Sequence, residues 1–273
     1  MMIEAALAFL FGLLIGSFLN VCVYRLPRDL SVVRPRSFCP ACEKQIAWFD
    51  NVPLLSFALL RARCRSCGAP ISWRYPLVEL ATGLLFAWSV FTMGVTIEAL
   101  KYCMFSAIIV TLVASDVEER ILPDEFTLGG ALVGFALAWI APMNATLARL
   151  VAPGVENPRA LSLIEAALGS LISGGAILLV AKLYEVVRKR EGMGLGDVKM
   201  VAMVGAFLGL QGSLLTLIIG SMVGGIGGLL FILMTGKNAS TYQLPFGAFL
   251  GAAALGVTLF GDALLHWYLR LGA

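Results

Sequence analysis

Histidine is almost missing from this chain of 273 residues: His266 is the only one. That excludes a His-Glu-x-x-His metallopeptidase and any histidine-based catalytic triad. A Gly-x-Ser-x-Gly nucleophile elbow is also absent. Charge is scarce, with 14% of residues charged and 59% hydrophobic, where soluble domains average about 25% and about 45–50%. Mean hydropathy is +0.90. These values exclude a disordered chain, a coiled coil and an ordinary soluble α/β enzyme, and they leave no room for a large extramembrane domain. A net charge of +3 is too small to point to nucleic acid. The first apolar run has no basic residues before it and no small-residue cleavage site after it, so it reads as a retained span, not a signal peptide.

What the chain has instead is long charge-free runs, at 5–24, 80–97, 102–115, 126–148, 166–181, 200–236 and 238–261. A membrane-spanning helix takes about 20 mostly apolar residues, and charges within one are costly. The third run is expected to start near Ile97, and Gln211-Gly212-Ser213 is expected to break the longest run in two. The predicted fold is therefore an all-α polytopic membrane protein of about eight transmembrane helices. With the N-terminus outside, sixteen of the twenty Lys and Arg face the cytoplasm, Arg190 and Lys237 among them. Lys101, Arg149, Arg159 and Arg270 face the other side. This bias puts both termini outside. Three parts are expected: a first span at 1–24, a cytoplasmic cysteine-bearing loop at 25–74, and seven further helices over 75–273. The 143–160 segment reads as a plain extracytoplasmic connector. The glycines Gly220, Gly224, Gly225, Gly227 and Gly228 suit close helix packing.

Four of six cysteines form Cys39-Pro40-Ala41-Cys42 and Cys64-Arg65-Ser66-Cys67, with 21 residues between the pairs. Paired C-x₂-C knuckles resemble a zinc ribbon, in which four thiolates bind one Zn²⁺ tetrahedrally. A closed Cys₄ site leaves no position for water, so one structural zinc per chain is expected. Two disulfides are the weaker alternative on a cytoplasmic, reducing side. Cys22 and Cys103 lie in spans and read as small buried apolar residues.

Asp116 closes the third span and Asp197 opens the sixth, inside Gly194-Leu195-Gly196-Asp197-Val198-Lys199. Two crossings separate them, so both acids belong at the cytoplasmic boundary. Two carboxylates sharing a site cannot both ionise easily, and that asymmetry suits peptide hydrolysis. The plainer alternative is that each acid merely ends a helix in the headgroup region.

Several segments, taken in order, resemble the bacterial type IV prepilin peptidases. They are Gly16-Ser17-Phe18-Leu19-Asn20-Val21 with Tyr24-Arg25-Leu26-Pro27, the cysteine box, and Asp50-Asn51-Val52-Pro53-Leu54-Leu55-Ser56. Asp116 with Ile121-Leu122-Pro123-Asp124, the Gly194–Lys199 segment, and Pro245-Phe246-Gly247 complete the set. The resemblance implies a Gly-x-Gly-Asp aspartic protease that cuts the basic leader from type IV prepilins and pseudopilins. It also implies N-methylation of the new N-terminus with S-adenosylmethionine, in the bacterial inner membrane. It assigns catalysis to Asp116 and Asp197, with Gly194, Gly196, Lys199 and Pro123 in support, and zinc to Cys39, Cys42, Cys64 and Cys67. For the methyltransferase it offers Gly16, Asn20, Glu43 and Asn51 as candidates. Glu118, Glu119, Asp124 and Glu125 could attract a basic leader. The competing readings are a Gly-x-Gly-Asp intramembrane protease with other substrates, a peptidase whose methyltransferase half has decayed, and a non-enzymatic membrane assembly factor.

Overall fold

The computed structural model describes residues 1–189, 194–235 and 244–271, with backbone alone for 262–271. Arg190, Lys237 and the start of the 238–261 run lie outside the described residues, as do the side chains of His266 and Arg270. The described residues are helical apart from turns and two isolated antiparallel bridges. Among the described residues, five helical stretches are long and apolar enough to cross a membrane: Met2–Arg28, Arg74–Met93, Ile97–Glu119, Pro158–Arg188 and Leu195–Thr235. A shorter apolar stretch covers Phe246–Gly261. The chain divides into two units, Met1–Ser115 and Asp116–Ala273.

The first unit contains α1 (Met2–Arg25), the short α2 (Leu55–Leu59), α3 (Arg74–Met93) and most of α4 (Ile97–Glu119). α1 packs along α3. Between apolar helices in lipid no hydrophobic force favours association, so contact depends on how closely the backbones approach. Gly12 and Gly16, one turn apart on α1, permit that approach. A Cβ on Gly12 would lie 2.8 Å from the Gly83 Cα, and one on Gly16 would lie 2.6 Å from the Glu79 Cα. α3 begins six residues before the charge-free run at 80–97 and takes Glu79 inside the helix, buried. The charge does not stop the helix because the carboxylate finds hydrogen-bond donors there. Cys22 and Cys103 are buried, as expected of small apolar residues.

The second unit contains α5 (Asp124–Ile140), α6 (Thr146–Val151), α7 (Pro158–Leu168), α8 (Gly174–Arg188), α9 (Leu195–Thr235) and α10 (Phe246–Leu271). α9 is its axis, touching α5, α7, α8 and α10. α7 runs into α8 through a π-helical turn at Gly169–Ser173. There Gly169 meets Gly205 of α9 backbone to backbone, a crossing that only glycine fits. The expected break at Gln211-Gly212-Ser213 lies two residues earlier, at Gly209, whose φ of 69° is left-handed. Glycine takes that conformation at little cost. Ser213 stays helical, bonded to the Leu210 carbonyl and the Ser173 hydroxyl. Beyond the bend, Gly220, Gly224 and Gly228 pack on Leu250, Phe249 and Leu244, and Gly227 meets the Phe249 ring, while Gly225 faces open space.

The 143–160 segment is more than a plain connector. It folds into α6 and builds a small core of Ala145, Ala148 and Leu161. The buried Glu165 accepts from the Ala148 N–H at 2.9 Å. Pro142, after Ala141, coincides with the early end of α5 at Ile140.

Candidate active site

Asp116 sits in the last turn of α4 and Asp197 in the first turn of α9, more than eighty residues apart in the chain. The structure brings them to one place, and Gly247 lies between them. A Cβ on Gly247 would stand 3.1 Å from Asp116 Oδ2 and 3.2 Å from Asp197 Oδ1. The two oxygens are therefore no farther apart than those lengths laid end to end.

Pro245-Phe246-Gly247 starts α10, and this supplies the third side of the site. The first N–H groups of a helix have no partner within it and point out along its axis. The Ala248 N–H donates to Asp116 Oδ2 at 2.8 Å, and the Gly247 N–H donates to the same carboxylate. A helix N-terminus thus holds one acid while the bare Cα of Gly247 leaves space beside the other. Asp116 is buried and Asp197 partly exposed, so the site opens on the Asp197 side.

The other motif residues hold this geometry. Gly194 accepts the Asp197 N–H at 3.2 Å and so starts α9. Gly196 lies against Leu122, where a Cβ would meet the leucine side chain at 3.2 Å. Pro123 is the extended N-cap of α5, its carbonyl accepting from the Phe126 and Thr127 N–H groups at 3.1 Å. Lys199 grips Asp124 at 2.7 and 2.9 Å, joining the starts of α9 and α5 beside the carboxylates. The pair is partly exposed and contributes about 1 kcal/mol or less.

The four box cysteines converge in the first unit, with sulfurs all within 4.8 Å of one another and Cys39–Cys67 at 3.9 Å. Four thiolates at about 2.3 Å from one Zn²⁺ stand about 3.8 Å apart, so the cluster fits a metal. The two knuckles are built alike. The Cys39 and Cys64 N–H groups donate to the carbonyls five residues on, Lys44 and Ala69, and their own carbonyls accept from Glu43 and Gly68. Glu43 and Gly68 both occupy the left-handed region, at φ 57° and 72°. Glu43 therefore holds the turn position that the second knuckle gives to glycine, and its side chain is exposed. Backbone N–H groups of Cys67 and Ser66 bring the Cys64 thiol down to about 7, which favours a thiolate ligand. Arg65 joins the second knuckle to the turn before Val52 through a two-pronged bond to Asp50 at 2.6 and 2.7 Å. The guanidinium hydrogen bond holds the Asp50 carboxyl below its usual value. That pair is therefore intact above the ordinary carboxylate range and is lost only as pH falls through the lowered value.

The remaining candidates fall in different places. Gly16 is pressed on the Glu79 backbone. Asn51 lines a cleft of about 150 Å³ with Arg36, Ser37, Ile46 and Trp48. Asn20 is 1% exposed and lies deep between α1 and α3, donating to the Gly16 and Tyr75 carbonyls at 3.3 and 3.1 Å. One turn on from Tyr75 stands Glu79, which in the sequence is only the edge of a charge-free run. Glu79 accepts from the Leu54 N–H at 2.9 Å and from Ser17. Its signal was the charge itself, five residues into a helix that opens with Arg74-Tyr75-Pro76.

Residues 10–93 match the family described as bacterial Peptidase A24 N-terminal domain, and residues 103–229 match the type IV leader peptidase family. The chain is 41% identical over 233 residues to a prepilin leader peptidase/N-methyltransferase of Myxococcus xanthus (strain DK1622), spanning 85% of this chain and 64% of that one. To proteins of the same description it is 34% identical over 288 residues in Aeromonas hydrophila, spanning 97% and 93%. In Legionella pneumophila the identity is 34% over 283 residues, spanning 95% and 92%. No solved structure matches the chain.

Proposed function

The chain belongs to the prepilin leader peptidase/N-methyltransferase family of A24 aspartic peptidases, and we propose that Asp116 and Asp197 are the pair with which it cuts prepilin and pseudopilin leaders. The observation that carries this reading is the meeting of both carboxylates at Gly247. Such a pair shares one proton. Its ionised member takes a proton from a water as the water oxygen attacks the scissile carbonyl carbon. Its protonated member hydrogen-bonds the carbonyl oxygen, and the leaving amine takes up a proton as the C–N bond breaks. The Gly247 and Ala248 N–H groups fix one face of Asp116, so its orientation is set before substrate arrives. Gly194, Gly196, Pro123 and Lys199 hold the two acid-bearing turns in register.

The substrate reading rests on charge as well as family. Glu118, Glu119 and Glu125 flank the turn after Asp116, while Asp124 there is already paired with Lys199, and acids at this turn favour encounter with a basic leader more than they favour the chemistry. The four thiolates are assigned one structural Zn²⁺, which holds together a loop too small for a core of its own. S-adenosylmethionine, when bound, supplies the methyl group for the new N-terminus.

The protein is placed in the bacterial inner membrane with both termini outside. Eight spans follow if α9 counts as two helices about Gly209 and α5 and α10 as one each, beside α1, α3, α4 and the joined α7 and α8. Co-expression with a prepilin and intact-mass analysis tests the reading: the product should lose its leader and gain one methyl group. An unprocessed prepilin beside well-folded protein would overturn it.

A further inference from the structure

We propose that the polar contact between α1 and α3, at the end nearest the cysteine loop, binds a primary α-ammonium group, with Asn20 and Glu79 as its acceptors. For the identity of the ligand this rests on the methyltransferase reading above.

Asn20 is the first of the two acceptors. Both hydrogens of its amide are spent on carbonyl oxygens, those of Gly16 and Tyr75. Turning the amide over would set its oxygen against two oxygens, so the orientation is determined by its neighbours. Oδ1 is thus the atom left over, and it has no hydrogen-bond partner among the described residues. A buried acceptor left unpaired costs about 1–3 kcal/mol, and proteins rarely keep one without a use.

Glu79 provides the second acceptor. It is 7% exposed, and among the described residues no cation pairs with it. Its partners are the Leu54 N–H and Ser17. A carboxylate has about four acceptor positions, so these two donors leave capacity unused. Burying an ionised carboxylate with no counter-charge is costly. The two groups sit on neighbouring rungs of one contact: Ser17 reaches Glu79, and one turn on Asn20 reaches Tyr75. One neutral and one anionic acceptor, each buried and each short of donors, call for a compact cation with several N–H groups. A primary ammonium has three, in a tetrahedral arrangement, and carries the charge Glu79 lacks.

The cysteine-bearing loop reaches this contact. Leu54, at φ 59°, follows the Asn51–Pro53 turn, and its N–H ties that turn onto Glu79. The loop therefore closes over the Glu79 carboxylate. Two reactants of an N-methyltransferase carry such a group: the freshly cut peptide, at its N-terminus, and the methyl donor, on its methionine part.

Binding to the full-length protein in detergent micelles separates them. One arm compares a peptide beginning with phenylalanine, amine free, with the same peptide acetylated. The other compares S-adenosylhomocysteine with 5′-methylthioadenosine, which lacks the amino-acid part. In the wild type one arm should show at least a tenfold preference for the ammonium-bearing ligand, and that arm identifies the source. Glu79→Gln and Asn20→Leu should each erase the preference while leaving the ammonium-free ligand bound as before. Equal binding within both arms of the wild type would overturn the inference without any variant. So would a Glu79→Gln protein that keeps the preference, or that weakens both members of a pair equally. Methylation of a co-expressed prepilin by the wild type is scored separately. Its absence would refute the transferase reading, whereas methylation with equal binding in both arms would refute this site alone.

Discussion

Placing a methyl group on Gly247 tests the geometry of the aspartate pair more sharply than removing either acid. The glycine is helical and buried, with no left-handed backbone to disturb, and alanine in a helix is no worse than glycine. The new carbon would stand 3.1 Å from Asp116 Oδ2, 3.1 Å from Leu122 Cδ1 and 3.2 Å from Asp197 Oδ1. Comfortable contact begins at about 3.5 Å, so each neighbour must yield by about 0.3–0.4 Å. Leu122 is a flexible side-chain end, but Asp116 is held by the Gly247 and Ala248 N–H groups and has little freedom to move. The displacement therefore falls largely on the separation of the carboxylates and on the space for water between them. Overpacking of this size costs about 1–3 kcal/mol, and each 1.4 kcal/mol that reaches the transition state is about tenfold in rate.

Gly247→Ala is thus expected to lower kcat for leader cleavage by about 5–100-fold, with KM little changed because the methyl touches the proposed catalytic carboxylates and not the leader. Gly225→Ala is the matched control, since a Cβ there meets nothing within 4 Å. Purified enzyme with a prepilin in detergent, followed by gel mobility of the processed product over a substrate series, gives both constants. A Gly247→Ala enzyme within twofold of wild-type kcat would show that the carboxylates do not act together across this glycine.

Other expectations are simpler to check. Asp116→Asn and Asp197→Asn should each reduce cleavage to background while the protein still inserts, and the wild-type pH profile should show two apparent pKa values that belong to the pair; substantial cleavage by Asp197→Asn would sink the aspartic mechanism. Metal analysis should find about one zinc per chain, lost in Cys64→Ser while the spans remain folded. Glu43→Gly should tighten the cysteine loop by about 1 kcal/mol, because it relieves a left-handed non-glycine position; slower zinc loss to a chelator would report it, and faster loss would refute the equivalence of the two knuckles. Cysteines placed at Ser31 and Asn144 should be labelled from opposite sides of the membrane, and labelling from one side would break the eight-span reading.

How much of this was legible in the sequence depended on whether the physics was local. Charge scarcity and unbroken apolar runs report the cost of charge in lipid, and the described parts of the runs lie mostly in helices, in the expected order. The double knuckle was legible for a similar reason, because two residues between cysteines already fix a turn that aims both sulfurs one way. Helix ends were less legible. Glu79 looked like the edge of a span because its donors, Ser17 and the Leu54 N–H, come from segments far along the chain. Polar residues cluster at Gln211-Gly212-Ser213, but the bend in α9 falls at Gly209, where Met143 and Glu165 crowd the position a side chain would take.

The aspartates show the same limit from the other direction. Each was visible as an acid at the end of a span, and an eight-helix path puts both at one depth, but depth does not determine distance. What closes the distance is Pro245-Phe246-Gly247, which offers no titratable or nucleophilic group and is hard to recognise as part of a site by its chemistry. With Ala248 next to it, it contributes two backbone N–H groups that any residue but proline would carry, and a side chain that is absent. Backbone donors matter only where a helix begins, and a missing Cβ matters only where two other groups already press toward it. Both conditions depend on how α9 packs on α10 through Gly220 and Gly224, and on Leu244 just before α10 through Gly228. On this reading the glycines of α9 and the acid that opens it serve one end. The first set the helices close enough for the start of α10 to reach Asp116, and the second then stands opposite it. Lengthening any of those three contacts, as Gly220→Val would where a Cβ already comes within 2.9 Å of Leu250, should therefore reduce cleavage with both carboxylates still in place.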